Sequence, residues 1–377
     1  MSFNNWKKYK IGDIVDFHNT KRVALNSRER EIRKGNCPYY GASGIVDYLS
    51  DYTFDGEYVL ISEDGENLRT RKTPIVFIVN GKFRVNNHAH IVQGKQDFIN
   101  KWLVYFFQNL DINPFITGAV QPKLNKENLQ LIEISIPEIN TAKKIISILS
   151  SIDDKIELNR QTNITLETIA QTLFKEMCLP KSEELPNGWS IEKLENLIET
   201  VSVTHKMKQE EIIFLNTSDI LEGNVLNNEY SVVSTLPGQA KKSIKRNDIL
   251  FSEIRPANKR YAFVNFDAED YVVSTKLMVL RSKGINPYLI YCFLINNDIL
   301  KELQHLAETR SGTFPQITFT QLKDFKLVIP DEITLTKVSK NIQDIYENIF
   351  LNSKEIETLI ALRDSLLPKL MKGEIAL

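Results

Sequence analysis

The sequence predicts an α+β chain in which two pseudo-repeated mixed α/β globular units are separated by two long helices that form an antiparallel coiled coil. Three observations predict it. The second half of the chain re-runs the first, each copy mixes strand-like with helix-like runs, and each copy closes in a long stretch whose apolar residues alternate steps of four and three. At 377 residues the chain exceeds one ordinary domain, since domains run to roughly 150 residues.

The repeat is legible in order. WKKYKIGDIVDF from Trp6 matches WSIEKLENLIET from Trp189 in its Trp and in the pairs Ile11/Leu194 and Ile14/Leu197. YVLISE (Tyr58 to Glu63) matches DILFSE (Asp248 to Glu253), each an apolar strand-like run ending in Ser-Glu. WLVYFF (Trp102 to Phe107) matches YLIYCF (Tyr288 to Phe293), both aromatic and helix-like. TGAVQPKLNKENLQLIEISIP (Thr117 to Pro137) matches SGTFPQITFTQLKDFKLVIP (Ser311 to Pro330), each closing in a strand that ends in Ile-Pro. Between these anchors, β-rich runs punctuated by Gly, Asn and Asp (ISEDGEN, FIVNGKF, YAFVNFD) place strands and helices in one unit. The expected division is 1–138, 139–182, 183–331 and 332–377, alternating globular part and long helix.

After each Ile-Pro comes the helix. Ile145, Leu149, Ile152, Ile156, Asn159, Asn163, Leu166, Ala170, Leu173 and Met177 form the seam of the first, expected from about Asn140 to about Cys178. Val338, Ile342, Ile345, Ile349, Asn352, Ile356, Leu359, Arg363, Leu366 and Leu370 repeat it at one constant offset, with Leu362 expected to take over from Arg363. Asn159 and Asn352 fall at the same place in both seams. A buried amide costs stability unless partnered, and its best-attested use is to fix register. Both stand near the midpoints of their helices, so an antiparallel pair brings them into the same or neighbouring layers. That arrangement separates the globular units by roughly 55 to 60 Å.

Composition bounds the function. No apolar run approaches the roughly 20 residues of a membrane span, and the start, MSFNNWKKYK, lacks a secretory apolar core. The expectation is a soluble cytoplasmic protein without membrane contact. Cys37, Cys178 and Cys292 are too scattered for a disulfide framework or zinc knuckle. A net charge of −1 leaves any nucleic-acid case to local clusters.

Those clusters follow the two Ser-Glu strands. ENLRTRK supplies Arg69, Arg71 and Lys72; EIRPANKRYAF supplies Arg255, Asn258, Lys259 and Arg260. Guanidinium forks and amides suit phosphate and base-edge contacts. Weaker candidates are Tyr40 and Ser43, Asn87 and His88, Lys123 in TGAVQPK, Lys276, and Arg310 and Gln316 around RSGTFPQ. His88 and His90 share a strand face without a third ligand, so no metal is assigned. No dinucleotide, P-loop, esterase or zinc-protease motif occurs. The competing enzyme reading is a self-contained metal-dependent nuclease at Glu63 to Lys72; the competing binding reading is a protein scaffold without DNA specificity.

The TG-x-x-Gln-Pro-Lys and SG-x-x-Pro-Gln segments, the Ile-Pro strands and the helices bearing KIELNRQ and ENIFLNSKEIETL, followed by LFK and LLPKLMKGEI, resemble the specificity subunit of a type I restriction–modification system. The resemblance covers nearly the whole chain and implies two target recognition domains on double-stranded DNA, reading the halves of a bipartite, asymmetric site with the helices as a ruler. It implies two methyltransferase subunits carrying S-adenosylmethionine and a restriction/translocase subunit using ATP and magnesium, with no cofactor on this chain. The chain lacks Asn-Pro-Pro-Phe and Asp-Pro-Pro-Tyr, in keeping with a subunit that reads DNA and does not catalyse.

Overall fold

The computed structural model describes residues 6–118, 120–179, 184–310, 312–375 and 377. The expected boundary at 182/183, and Ala119 and Ser311 within the two Pro-Gln-type loops, lie outside them. The chain forms two compact units: Met1–Glu157 with Glu357–Leu377, and Leu158–Ile356. Each long helix is therefore shared, one half in each unit.

Unit 1 holds two four-stranded sheets. One is antiparallel, in the order Val15–Phe17, Ala89–Gly94, Tyr58–Ser62, Val76–Val79. The other runs Gly44–Leu49, Lys34–Gly41, Lys82–Val85, Phe54–Asp55, with the central pair parallel. Alternation along Tyr58–Ser62 explains its continuous apolar run. Val59 and Ile61 pack under the helix Ile99–Asn109 with Trp102 and Leu103, while Leu60 faces Phe83 and Val85 of the second sheet. A strand buried on both faces has no polar alternation to show.

Unit 2 repeats this topology strand for strand. Its first sheet runs Ile198–Thr200, Leu277–Ser282, Ile249–Ser252, Tyr261–Phe263; its second runs Tyr230–Val232, Glu211–Leu215, Tyr271–Ser274, Ala240–Ser243, again with a parallel central pair. Phe251 faces the helical core and Leu250 the second sheet. In both units the opening strand closes on the Ile-Pro strand: Lys7–Lys10 pairs with Glu133–Ile136, and Ser190–Lys193 with Lys326–Ile329. Unit 2 adds a small hairpin, Ile220–Leu221 with Asn224–Val225.

The long helices are Ile139–Cys178 and Glu332–Met371. Asp331 caps the second, accepting the Thr334 N–H at 3.1 Å and its hydroxyl at 2.7 Å. Gly373, at φ +71°, ends it, and a Cβ there would lie 2.8 Å from the Trp6 indole nitrogen. Ala142, Ile145 and Leu149 share a core with Leu367, Leu370 and Met371 in unit 1. Ala170, Phe174 and Cys178 share one with Val338, Ile342 and Tyr346 in unit 2. Start meets end in each unit, so the pair is antiparallel.

Two seam expectations are revised and a third is sharpened. Leu362 does not replace Arg363: it stays 44% exposed, and Arg363 keeps the position by pairing with Asp153 at 3.0 Å. Phe174 and Tyr346, outside the seam, are buried more deeply than Leu173 and Ile345, because each also packs on the aromatic core of unit 2. The Asn159 amide, 3% exposed, donates to Glu355 at 2.7 Å, and Asn352 donates to the Asn163 side-chain oxygen Oδ1 at 2.8 Å. The two matched amides thus fall in neighbouring layers, as expected, each bonded to the residue one turn from the other, and Asn163, which has no counterpart in the second seam, is one of those partners.

Candidate nucleic-acid interface

The Ser-Glu strand end organises each unit. Glu63 N–H donates to His88 O at 2.9 Å, Leu124 N–H donates to Glu63 O at 2.8 Å, and Gly65 N–H donates to Pro122 O at 3.0 Å. In unit 2, Glu253 N–H donates to Lys276 O at 3.1 Å, Ile317 N–H to Glu253 O at 2.9 Å, and Arg255 N–H to Pro315 O at 3.1 Å. Paired bridges Asp64 with Lys123 and Ile254 with Gln316 complete the frame. One backbone frame therefore carries His88, Lys123, Asp64 and Gly65 in one unit, and Lys276, Gln316, Ile254 and Arg255 in the other. Residues scattered in sequence converge because the Ser-Glu strand pairs with the strand that follows His88 or Lys276.

The remaining candidates sort by what they touch. Asn86 N–H donates to Tyr40 O at 2.9 Å, and the Ser62 hydroxyl donates to Ala42 O, which ties the turn carrying exposed Ser43 to the frame. Tyr40 is half-buried against Phe77 and Phe83, and burial pushes its hydroxyl above the ordinary value. Asn87 is exposed, as is His88, whose Nδ1 lies 2.9 Å from both Asp64 carboxylate oxygens. Arg69 reaches Gly118 O at 3.1 Å, and Lys72 is exposed. Arg71 turns inward, donating to Phe107 O at 2.8 Å and Leu110 O at 2.5 Å, where it caps the helix Ile99–Asn109.

In unit 2, Arg255 and Asn258 are exposed, and Arg255 sits at φ +44°, in the place Gly65 fills in unit 1. Lys259 pairs with Glu222 at 3.0 Å. Arg260 is spent on the hairpin, donating to Ser218 O at 2.9 Å and Ile220 O at 3.0 Å. Lys276 is exposed, and Arg310 donates to Gln321 Oε1 at 2.7 Å.

Two cations that no motif marks lie under the frame. Arg22 Nη1 reaches Glu63 Oε2 at 2.5 Å, Ala89 O at 2.9 Å and Asn87 O at 3.3 Å. Lys242 Nζ donates to Thr275 O at 2.9 Å and Leu277 O at 2.7 Å. Glu63 also meets Lys123 at 3.4 Å and lies 3.7 Å from His90. Burial pushes the Glu63 carboxyl up, but the Arg22 hydrogen bond and charge, with Lys123, outweigh it and hold the group below the ordinary range.

His90 Nε2 lies 2.7 Å from Leu124 O and Nδ1 lies 2.9 Å from the Asn19 amide nitrogen. The Asn19 side-chain oxygen Oδ1 is taken by Ile91 N–H, so the amide nitrogen faces His90, Nε2 carries the proton and Nδ1 accepts. Burial pushes this imidazole below its ordinary value, keeping it neutral. The two histidines are thus engaged separately. A Glu63 held by arginine and lysine is a structural anion, a poor fit to a nuclease's metal-binding carboxylate. Among the described residues no group of three or more His, Cys, Asp or Glu is placed to hold a metal.

The model of the type I restriction modification DNA specificity domain matches the chain twice, over residues 4–168 and 186–360. The chain belongs to this family. The HindI type I restriction enzyme specificity subunit of Haemophilus influenzae is 45% identical over 150 residues, which is 39% of this chain and 33% of that relative's length. The MjaIX specificity subunit of Methanocaldococcus jannaschii is 25% identical across 98% of this chain and 94% of its own. The S subunit of a type I restriction–modification system from M. genitalium shares the fold, with a TM-score of 0.67 at 14% identity over 98% of this chain and 97% of that one. Among the described residues, no helix is long and apolar enough to cross a membrane.

Proposed function

We propose that the chain is the non-catalytic DNA-recognition subunit of a cytoplasmic restriction–modification assembly, with each unit reading one half of a bipartite, asymmetric site. The observation that carries this is the duplicated strand-end frame with different side chains on it. One scaffold offers His88, Lys123 and Ser43, the other Lys276, Gln316 and Arg255, and different donors and acceptors on like frames read different bases. Asn87, Arg69, Lys72 and Asn258 border the frames as backbone-contacting candidates. Arg71 and Arg260 support loops in this reading.

The helix pair sets half-site spacing, with Asn159 and Asn352 marking register, and it docks two methyltransferase subunits and the restriction subunits. Support comes from apolar residues left on the outer faces at matching seam offsets: Leu158 and Leu351, 60% and 66% exposed, and Ile169 and Leu362, 45% and 44% exposed. Matching exposed positions on two antiparallel helices suit two copies of one partner. S-adenosylmethionine, ATP and magnesium belong to those partners. Sequencing the methylome of a host carrying this chain with its methyltransferase is expected to place modified adenines in a single split motif with unlike halves. Methylation without sequence preference would overturn the proposal and favour a scaffold.

A further inference from the structure

We propose that Arg22 and Lys242 are positioning residues for base recognition, each setting the specificity of its own half-site; the inference rests on the DNA-reading assignment above. In unit 1 the Arg22 guanidinium holds the carbonyls of Asn87 and Ala89, the two residues that flank exposed His88. In unit 2 the Lys242 ammonium holds the carbonyls of Thr275 and Leu277, which flank exposed Lys276. The bonded positions correspond in the two units. Both tips carry the same turn support as well: Asn86 Oδ1 accepts the His88 N–H at 2.8 Å, and Ser274 Oγ accepts the Lys276 N–H at 3.2 Å.

The cations themselves do not correspond. Arg22 follows the short 3-10 turn Asn19–Lys21, ahead of the second sheet, whereas Lys242 lies within the strand Ala240–Ser243 of that sheet. Two unrelated places in the chain deliver one contact, which points to a requirement of the tip and not to inheritance of a residue. The requirement is physical. A loop tip that reads a base edge loses affinity and discrimination if its backbone must be ordered on binding, and a cation between its flanking carbonyls orders it beforehand.

Neither cation is placed to bind phosphate. Arg22 is neutralised by Glu63, with side chains 17% and 13% exposed. Lys242 is half-buried and gives two of its N–H groups to Thr275 O and Leu277 O. Their removal should therefore change discrimination without changing the salt dependence of binding, which follows the number of phosphate contacts.

The test uses the chain assembled with its methyltransferase, scored for methylation at the cognate site and at sites with one substituted base pair in either half. In Arg22→Gln, discrimination is expected to fall roughly tenfold at one or more positions of one half-site, the size of one good base contact. The other half and the salt slope should stay as in the parent. Lys242→Gln should do the same to the opposite half, and Arg22→Lys should restore discrimination, because a lysine performs this task in unit 2. Equal loss of methylation at all sites with unchanged ratios, in either Gln variant, marks a merely structural role and overturns the proposal. So does a change confined to the salt slope. A parent assembly with no site preference would instead overturn the DNA-reading assignment itself.

Discussion

The two units fasten the same architecture to the long helices with opposite chemistries. In unit 1, the Tyr105 hydroxyl donates to Asp153 at 2.8 Å, and Arg363 on the other long helix donates to the same carboxylate at 3.0 Å. Burial pushes the Tyr105 hydroxyl well above its ordinary value, and Asp153 adds to this. In unit 2 the corresponding positions are Tyr291 and Tyr346, whose rings meet edge to face at 5.2 Å. Phe350 continues the cluster, stacked on Phe263 at 5.8 Å. One joint is a hydrogen-bonded ion pair that water partly reaches, and the other is a dry aromatic stack. Equal topology therefore does not mean equal stability or equal sensitivity to salt.

The largest effect is expected at the aromatic joint. Tyr346 is 2% exposed among Tyr288, Tyr291 and Phe350. Tyr346→Ala should destabilise unit 2 by about 3 to 5 kcal/mol, the range for truncating a buried ring. Denaturant titration followed by hydrogen exchange in each unit would show it, and equal loss of protection in both units would break the comparison.

Next comes the polar layer of unit 2. Asn352→Ile leaves the half-buried Asn163 side-chain oxygen without its 2.8 Å donor, a loss of about 1 to 2 kcal/mol. Adding Asn163→Ile should recover part of it, since removing both partners is far cheaper than orphaning one. A double variant as unstable as the sum of the two singles would show that the amides do not act as a pair.

The polar joint of unit 1 should yield less. Arg363 and Asp153 side chains are 23% and 31% exposed, so solvent screens the pair, and Asp153→Ala should cost about 1 kcal/mol. That cost should shrink in molar salt, where charge interactions fade within about 3 Å. The Tyr346→Ala cost should not. A salt-independent cost at Asp153 would mean that packing of Tyr105, and not charge, holds the joint.

These joints also mark what the sequence could reveal. Strand ends in Ser-Glu, Ile-Pro closures and matched seams are local patterns, and they led directly to the duplicated fold. Arg363 read as a flaw because its partner, Asp153, lies on the other helix, and antiparallel pairing sets such partners by sum of positions and not by offset. Asn163 was obscured for the same reason. Arg71 and Arg260 carry the charge expected of DNA contacts, yet their guanidinium groups are spent on backbone carbonyls. Arg22 and Lys242 left no signal at all, since a contact to a carbonyl requires no side-chain type at the receiving end. The fold was legible because it repeats; the support of the reading tips was not, because it does not.

The smallest expected effect separates the two frames by acid. His90 in unit 1 pairs across the sheet with Ile61, and Met278 holds the matching place beside Phe251 in unit 2. Burial sets the His90 imidazole below its ordinary value, so the unfolded chain takes up its proton first, and stability falls once pH drops below about 6.5. Glu63 acts in the same direction lower down. Its carboxyl is held below the ordinary range against burial by Arg22 and Lys123, so its contribution, complete above the unfolded value, is lost as pH falls through the folded one. His90→Met should lower stability at neutral pH, by forfeiting the bonds to Leu124 and Asn19, and flatten the loss between pH 7 and 5. An unchanged slope in that variant, measured by denaturation midpoints across the same range, would assign the acid response of unit 1 to other groups.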